Sequence, residues 1–240
     1  MRLPYINLKP IQLFTIGVLT LILAACGSTP EKTTELEPTS ATANNSPDTI
    51  VPGEAPQLTF DLGGPDTNPY LEQASDAPAP ARALFNDAVK AMQAEQWSRA
   101  ETLLQSLIGQ YPDLSGPYLN LGIVYRHLNQ MDKAKEAFAK AVTVNSMNID
   151  ALNQLALINR EQGDFKAAET HYLSALAVWP KHDTTHKNLG ILYDLYMGEL
   201  TKALEQFEMF QFLQPEPDRR VAGWIIDLQR RISNEQAGTQ

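Results

Sequence analysis

From Ala81 to Pro217 the sequence repeats itself every 34 residues, and that period limits the fold more than any other feature. Small residues recur at Ala88, Gly122, Ala156 and Gly190, with Leu121, Leu155 and Leu189 just before the last three. A second small column is Ala100, Ala134 and Ala168. Leu104, Phe138 and Tyr172 form a third column, and Pro112, Ser146 and Pro180 a fourth. A fixed period of this length means a stack of like units, none of which buries its apolar face alone. Each unit is expected to be two antiparallel helices, A and B. The first small column sits where A meets B, because a larger side chain would push the pair apart. Ala100, Ala134 and Ala168 do the same from helix B, while Phe138 and Tyr172 fill the space between successive units. Asn129, Gly163 and Gly198 mark the turns inside units, since these residues tolerate the left-handed conformation that ends a helix. Glu95 departs from that rule, so a looser first turn is expected. Pro112, Pro180 and Pro215 close the B helices, because proline cannot continue one.

These columns resemble the tetratricopeptide repeat (TPR) over residues 81–217, as units 81–114, 115–148, 149–182 and 183–217. The resemblance implies an all-α, right-handed solenoid of about four helix-turn-helix repeats. Unit one has Ala91 in place of the aromatic at its eleventh position. Unit four carries one extra residue between Tyr193 and Gly198, after which Ala203, Phe207, Phe210 and Pro215 resume the pattern one place late. A widened turn is expected near Leu195 to Met197. Residues 218–240 read as a capping helix and tail. Val221, Trp224, Ile225, Leu228 and Ile232 fall at helical spacing, with Arg219, Arg230 and Arg231 on the opposite face. A terminal element needs such a polar outer side. The tail is expected to fray from Asn234.

Ahead of the repeats, residues 1–25 have the form of an export signal. Arg2 and Lys9 precede an apolar run from Ile11 to Leu23, then small residues at a cut site. The run is short for a bilayer span, which takes about 20 residues. Leu23-Ala24-Ala25-Cys26, followed by Gly27-Ser28, resembles the bacterial lipobox. That resemblance implies cleavage before Cys26 and acylation, including a palmitate-type chain, at that residue. Two or more chains anchor stably where one does not. Residues 26–80 are then an acidic linker. Between Gly27 and Pro80 stand nine prolines and nine acidic residues against Lys32 alone. Such a stretch buries too little apolar surface to offset the entropy of ordering, so disorder is expected. Leu58-Thr59-Phe60-Asp61-Leu62 alternates like a strand, and both a docking segment and an unstructured patch fit it.

Little here suggests catalysis. His182 and His186 are four apart but straddle a B-to-A loop, and His127 and His171 stand alone. No glutamate follows in the His-Glu pattern of zinc proteases, and no Gly-rich phosphate loop or Gly-x-Ser-x-Gly elbow is present. No catalytic residue, metal site or cofactor is expected, and a metal- or carboxylate-dependent enzyme is a remote alternative. The net charge of −9 argues against nucleic acid, which needs clustered Lys and Arg.

TPR proteins line a concave groove mostly with A-helix residues, and the resemblance places the partner site there. Asn86, Asn120, Gln154 and Asn188 occupy the sixth position of each unit, and Val89, Ile123, Leu157 and Ile191 the ninth. An amide column can bond a peptide backbone, yet it can equally be structural. Phe85, Leu119, Arg126 and Arg160 complete the expected surface. The Lys/Asn/Arg clamp for a C-terminal carboxylate is not matched, since only Asn120 among Phe85, Val89, Asn120, Asp150 and Gln154 fits it. The chain resembles small TPR lipoproteins of bacterial envelopes. That implies a non-catalytic assembly scaffold for a pilus or secretion complex, with an envelope protein or peptide in the groove. An adaptor for peptidoglycan hydrolases or synthases is the alternative. Gly27, rather than Asp, after the cysteine implies outer-membrane attachment facing the periplasm, in a Gram-negative cell.

Overall fold

The computed structural model describes residues 63–73 and 77–238. The export signal, Cys26 and the Leu58–Leu62 patch lie outside the described residues. Among the described residues the regular structure is helical throughout. A short helix α1 (Pro69–Gln73) precedes α2 (Ala79–Gln93), α3 (Trp97–Gln110), α4 (Ser115–His127), α5 (Met131–Val144), α6 (Ile149–Glu161) and α7 (Phe165–Val178). Then come α8 (Asp183–Leu192), a π-helical turn (Tyr193–Met197), α9 (Leu200–Leu213) and α10 (Arg219–Gly238). Helices α2 and α3, α4 and α5, α6 and α7, and α8 and α9 pack as pairs, and each B helix also packs on the next A helix. Helix α10 closes the stack against α9.

Turn chemistry fixes the hairpins. Glu95, Asn129, Gly163 and Gly198 have φ of +55°, +58°, +81° and +68°. In the first three units the residue after this one sends its amide back five positions: Gln96 to Ala91 O, Gln130 to Tyr125 O and Asp164 to Asn159 O, each at 2.8 Å. That is the bond that ends a helix on a left-handed residue. The first turn is therefore not looser, contrary to the sequence expectation. Glu95 adopts the left-handed conformation at a cost of roughly 1–2 kcal/mol because the helix ends on either side leave it no other. In unit four the same bond spans six residues, Glu199 to Tyr193 O at 3.0 Å. The extra residue is taken up by the π turn, in the place where a widened turn was expected.

The core explains the small columns directly. A Cβ added at Gly122 would lie 2.5 Å from Phe138 Cε1, and one at Gly190 would lie 2.7 Å from the Phe207 ring. Phe138 is fully buried and Phe207 nearly so. Each ring thus packs directly against the glycine of its own unit, whereas the sequence suggested that Phe138 fills the space between successive units. Ala156, Tyr172, Leu189, Leu192, Ala203 and Phe207 continue the same core toward the C-terminus, where Val221 and Leu228 of α10 complete it.

The cap is longer than the sequence implied. Asp218 Oδ1 accepts from Arg220 N at 2.8 Å and Val221 N at 3.2 Å, starting α10 as an N-cap. The helix then runs to Gly238 with no break at Asn234. Arg231 donates to Asp194 Oδ1 at 2.6 Å, tying the outer face of α10 to the π turn.

The expectation of disorder up to Pro80 fails for residues 63–73. They form a strap whose only helical turn is α1, and Tyr70 within it is 8% exposed. Composition forecast solvation of this stretch, but one aromatic side chain that finds a prepared pocket is enough to seat it.

Candidate interaction surface

The expected groove residues divide into two sets. Phe85, Val89, Leu119, Asn120, Ile123 and Gln154 are buried, with Phe85 only 1% exposed. Asn86 is exposed, while Arg126, Leu157, Arg160, Asn188 and Ile191 are half-buried. Phe85, Leu119 and Ile123 are therefore core rather than ligand-facing. Helix α4 packs between α3 and α5 and is buried along its whole first three turns, Ser115 to Tyr125.

Two of the four amides, Asn120 and Gln154, are taken up by bonds within the domain. Asn120 Nδ2 donates to Gly116 O at 2.9 Å within its own helix, leaving its buried Oδ1 without a partner. Gln154 Oε1 accepts from Arg126 Nη1 at 2.7 Å, and Arg126 Nη2 reaches Glu161 at 3.0 Å. These bonds lace α4 to α6. Asn86 stays exposed on this face, and Arg126, Leu157, Arg160, Asn188 and Ile191 stay partly accessible.

Arg160 leads to a second exposed feature. Its guanidinium lies 5.5 Å from the centre of the Tyr196 ring, which also meets Phe165 at 5.2 Å. The π turn pushes Leu195 and Tyr196 outward, 68% and 44% exposed. Its inner end is held by Tyr193, whose hydroxyl donates to the buried carboxylate of Glu169 at 2.9 Å. Lys166 beside Glu169 holds that carboxyl below its usual range.

The edge where the A helices begin carries the most elaborate polar arrangement. Ser115 Oγ donates to Tyr70 Oη at 3.1 Å, Asn148 Nδ2 lies 3.3 Å from Ser115 Oγ, and Asn148 Oδ1 caps α6 at Ala151 N, 3.0 Å. One unit further, Asn153 and Thr185 bond reciprocally at 2.7 and 3.0 Å, and His182 Nδ1 meets Thr185 Oγ1 at 2.6 Å. His186 is a packing residue: Nε2 lies 2.8 Å from Pro180 O and Nδ1 2.8 Å from Gln206 Oε1. Both of its nitrogens are occupied. Among the described residues no group of three or more His, Cys, Asp or Glu could hold a metal. His127 is stacked flat on Trp97, ring centres 3.9 Å apart.

Sequence reasoning missed Ser115, Asn148, Trp179 and Lys181 of this edge, and weighed Asp150 only as a clamp position that it does not fit. A signal was available in Asp66-Thr67-Asn68-Pro69-Tyr70, a turn-forming run with an aromatic inside an otherwise solvated tract.

Asp150, beside Tyr70 at the start of α6, has its pKa pushed up to about 6 by burial. The native state therefore holds the proton more tightly than the unfolded chain. Stability falls as pH rises from the ordinary carboxylate value toward 6, and the full loss persists above that. Asp150→Asn is expected to raise the melting temperature at pH 7.5, by the equivalent of ~1–2 kcal/mol after screening of this half-buried group. The advantage should shrink toward pH 4. Thermal melts of both proteins from pH 4 to 8 check it, and parallel curves would refute it.

Comparison with known proteins agrees with this architecture. Tetratricopeptide-repeat profiles match residues 116–146 and 148–209. Among solved structures, PilF of Pseudomonas aeruginosa superposes with a TM-score of 0.57 at 22% identity, over 68% of this chain and 71% of that one. MamA of Desulfovibrio magneticus RS-1 gives 0.56 at 16% identity, over 68% and 92%. A human protein O-mannosyl-transferase, TMTC3, is 27% identical over 113 residues, 47% of this chain. The chain spans only 12% of that relative's length. Paired helices, left-handed hairpin turns and small residues under aromatic rings, together with these matches, make the described part of this chain a tetratricopeptide-repeat solenoid.

Proposed function

We propose that this protein is a membrane-anchored interaction scaffold of the bacterial envelope that assembles a pilus or secretion complex and catalyses no reaction itself. The observation that carries the binding role is the A-helix face on which Arg126 of α4, Leu157 and Arg160 of α6 and Ile191 of α8 stay partly accessible, with the protruding Tyr196 over Arg160. An aliphatic surface rimmed by arginine and aromatic groups is the composition that concentrates energy in protein interfaces. Anchoring rests on the lipobox-like Leu23-Ala24-Ala25-Cys26. No described helix is long and apolar enough to cross a membrane. With Gly27 after it, the reading includes the outer membrane and a domain facing the periplasm. The pilus role rests on the resemblance to envelope TPR lipoproteins.

Two measurements test this. Intact-mass analysis of the mature chain from membranes should show Cys26 acylated at a new N-terminus, and Cys26→Ser should leave an uncleaved or soluble form. An unmodified Cys26 would end the anchoring proposal. Cross-linking in envelopes should recover pilus or secretion components, with at least a ten-fold loss for Leu157→Asp combined with Arg160→Glu. Recovery of cell-wall enzymes instead would favour the peptidoglycan adaptor.

A further inference from the structure

The strap before the first repeat does not simply lead into the solenoid. It lies along the edge where the A helices begin and touches residues from two units, 115–148 and 149–182. Gly64 approaches Pro180, where a Cβ would stand 3.3 Å from Cδ. Pro65 O accepts the indole N–H of Trp179 at 3.1 Å, and Asp66 pairs with Lys181. Asn68 Oδ1 accepts from Tyr70 N at 3.0 Å, folding the run so that Tyr70 drops into the pocket at Ser115. Its hydroxyl there joins the Ser115–Asn148 chain that caps α6.

Two properties set this contact apart from ordinary packing. The receiving side is built: Ser115 and Asn148 are buried polar residues arranged to meet a hydroxyl, and Lys181 and Trp179 present a cation and a donor at the other end. The strap itself is lightly held. Gly63 to Thr67, Leu71 and Glu72 are exposed, and Tyr70 is its one buried side chain among those described. A firm receptor with a lightly held occupant is the arrangement expected where one segment exchanges for another.

We propose that the edge formed by Ser115, Asn148, Trp179 and Lys181 is a recognition surface for an acidic, turn-forming segment carrying a tyrosine. Residues 63–73 are its resident occupant, and a partner segment of the same chemistry displaces them. This deepens the scaffold reading and rests on it. Because a short connector ties the strap to α2, its effective concentration at the site is in the millimolar range. An incoming segment meets that competition in the wild-type chain and not in a chain whose strap is weakened.

The probe is a labelled peptide of residues 63–73, titrated into the full chain in detergent. It should bind Tyr70→Ala/Asp66→Lys at least ten-fold more tightly than wild type, with a change in Trp179 emission. Lys181→Glu added to that background should reverse the gain ten-fold or more. Asp66→Lys alone, at a residue whose side chain is 94% exposed, cannot disturb folding and should give a smaller gain of the same sign. Equal affinity for wild-type and released chains, no binding to either at 1 mM peptide, or indifference to Lys181→Glu would each overturn the proposal. If partner cross-linking still depends on Leu157 and Arg160 in that case, the scaffold reading survives and only this edge is lost.

Discussion

Gly122→Leu is expected to remove more than ~3 kcal/mol of stability, and Gly122→Ala ~1–3 kcal/mol, because both overpack the α4–α5 contact. The cause is the 2.5 Å approach of a built Cβ to the Phe138 ring, which is fully buried and has nowhere to turn. Alanine favours a helix over glycine by up to ~1 kcal/mol, so steric conflict must exceed that gain for the sign to be destabilising. Gly109→Ala supplies the contrast. It lies in α3 with nothing within 4 Å of the added carbon, and should gain ~0.5–1 kcal/mol. Urea midpoints of the three variants test the assignment. Adding Phe138→Leu to Gly122→Ala should recover part of the loss, since the two positions share one space. A midpoint for Gly122→Leu equal to wild type would mean that α4 and α5 do not meet at this residue.

The second large effect lies at the other end of the stack. Phe207→Ala should cost ~3–5 kcal/mol, the range for emptying a buried aromatic site. The ring covers Gly190 and stands 5.2 Å from the Trp224 ring, so it joins α8, α9 and the cap α10 through one side chain. In a solenoid, stability is a sum of unit and interface terms. Loss of this contact should therefore unfold unit four and α10 before the earlier units. Denaturation followed by Trp224 emission should precede that followed by far-ultraviolet circular dichroism. Coincident transitions with an unchanged midpoint would contradict the assigned core.

Leu195 and Tyr196 owe their exposure to one inserted residue, which turns the end of α8 into a π turn and lengthens the capping bond from five residues to six. Such insertions are found often at functional sites. Here it delivers an aromatic side chain to Arg160, next to the face expected to bind.

The sequence by itself determined the stack. A 34-residue period with small, aromatic and proline columns admits one arrangement of paired helices, because each column is a steric demand between chain neighbours. The π turn near Leu195 to Met197 was legible for the same reason, as one residue too many between two fixed columns. The left-handed Glu95 was not legible, because its own preference opposes the conformation and only the two flanking helices impose it. Nor could the sequence tell which A-helix positions face a partner. Phe85, Asn120 and Ile123 occupy the same places in the repeat as accessible residues in other units. Their burial depends on how the neighbouring helices pack over them. The strap shows the limit most plainly. Composition reads residues 63–73 as a solvated tract, but Tyr70 packs against Ser115, more than forty residues away, which Asn148 holds in turn. Local periodicity records what a residue requires of its neighbours along the chain. Only the tertiary structure brings a hydroxyl and an amide from the two ends of one unit together, at the place where a distant tyrosine joins them.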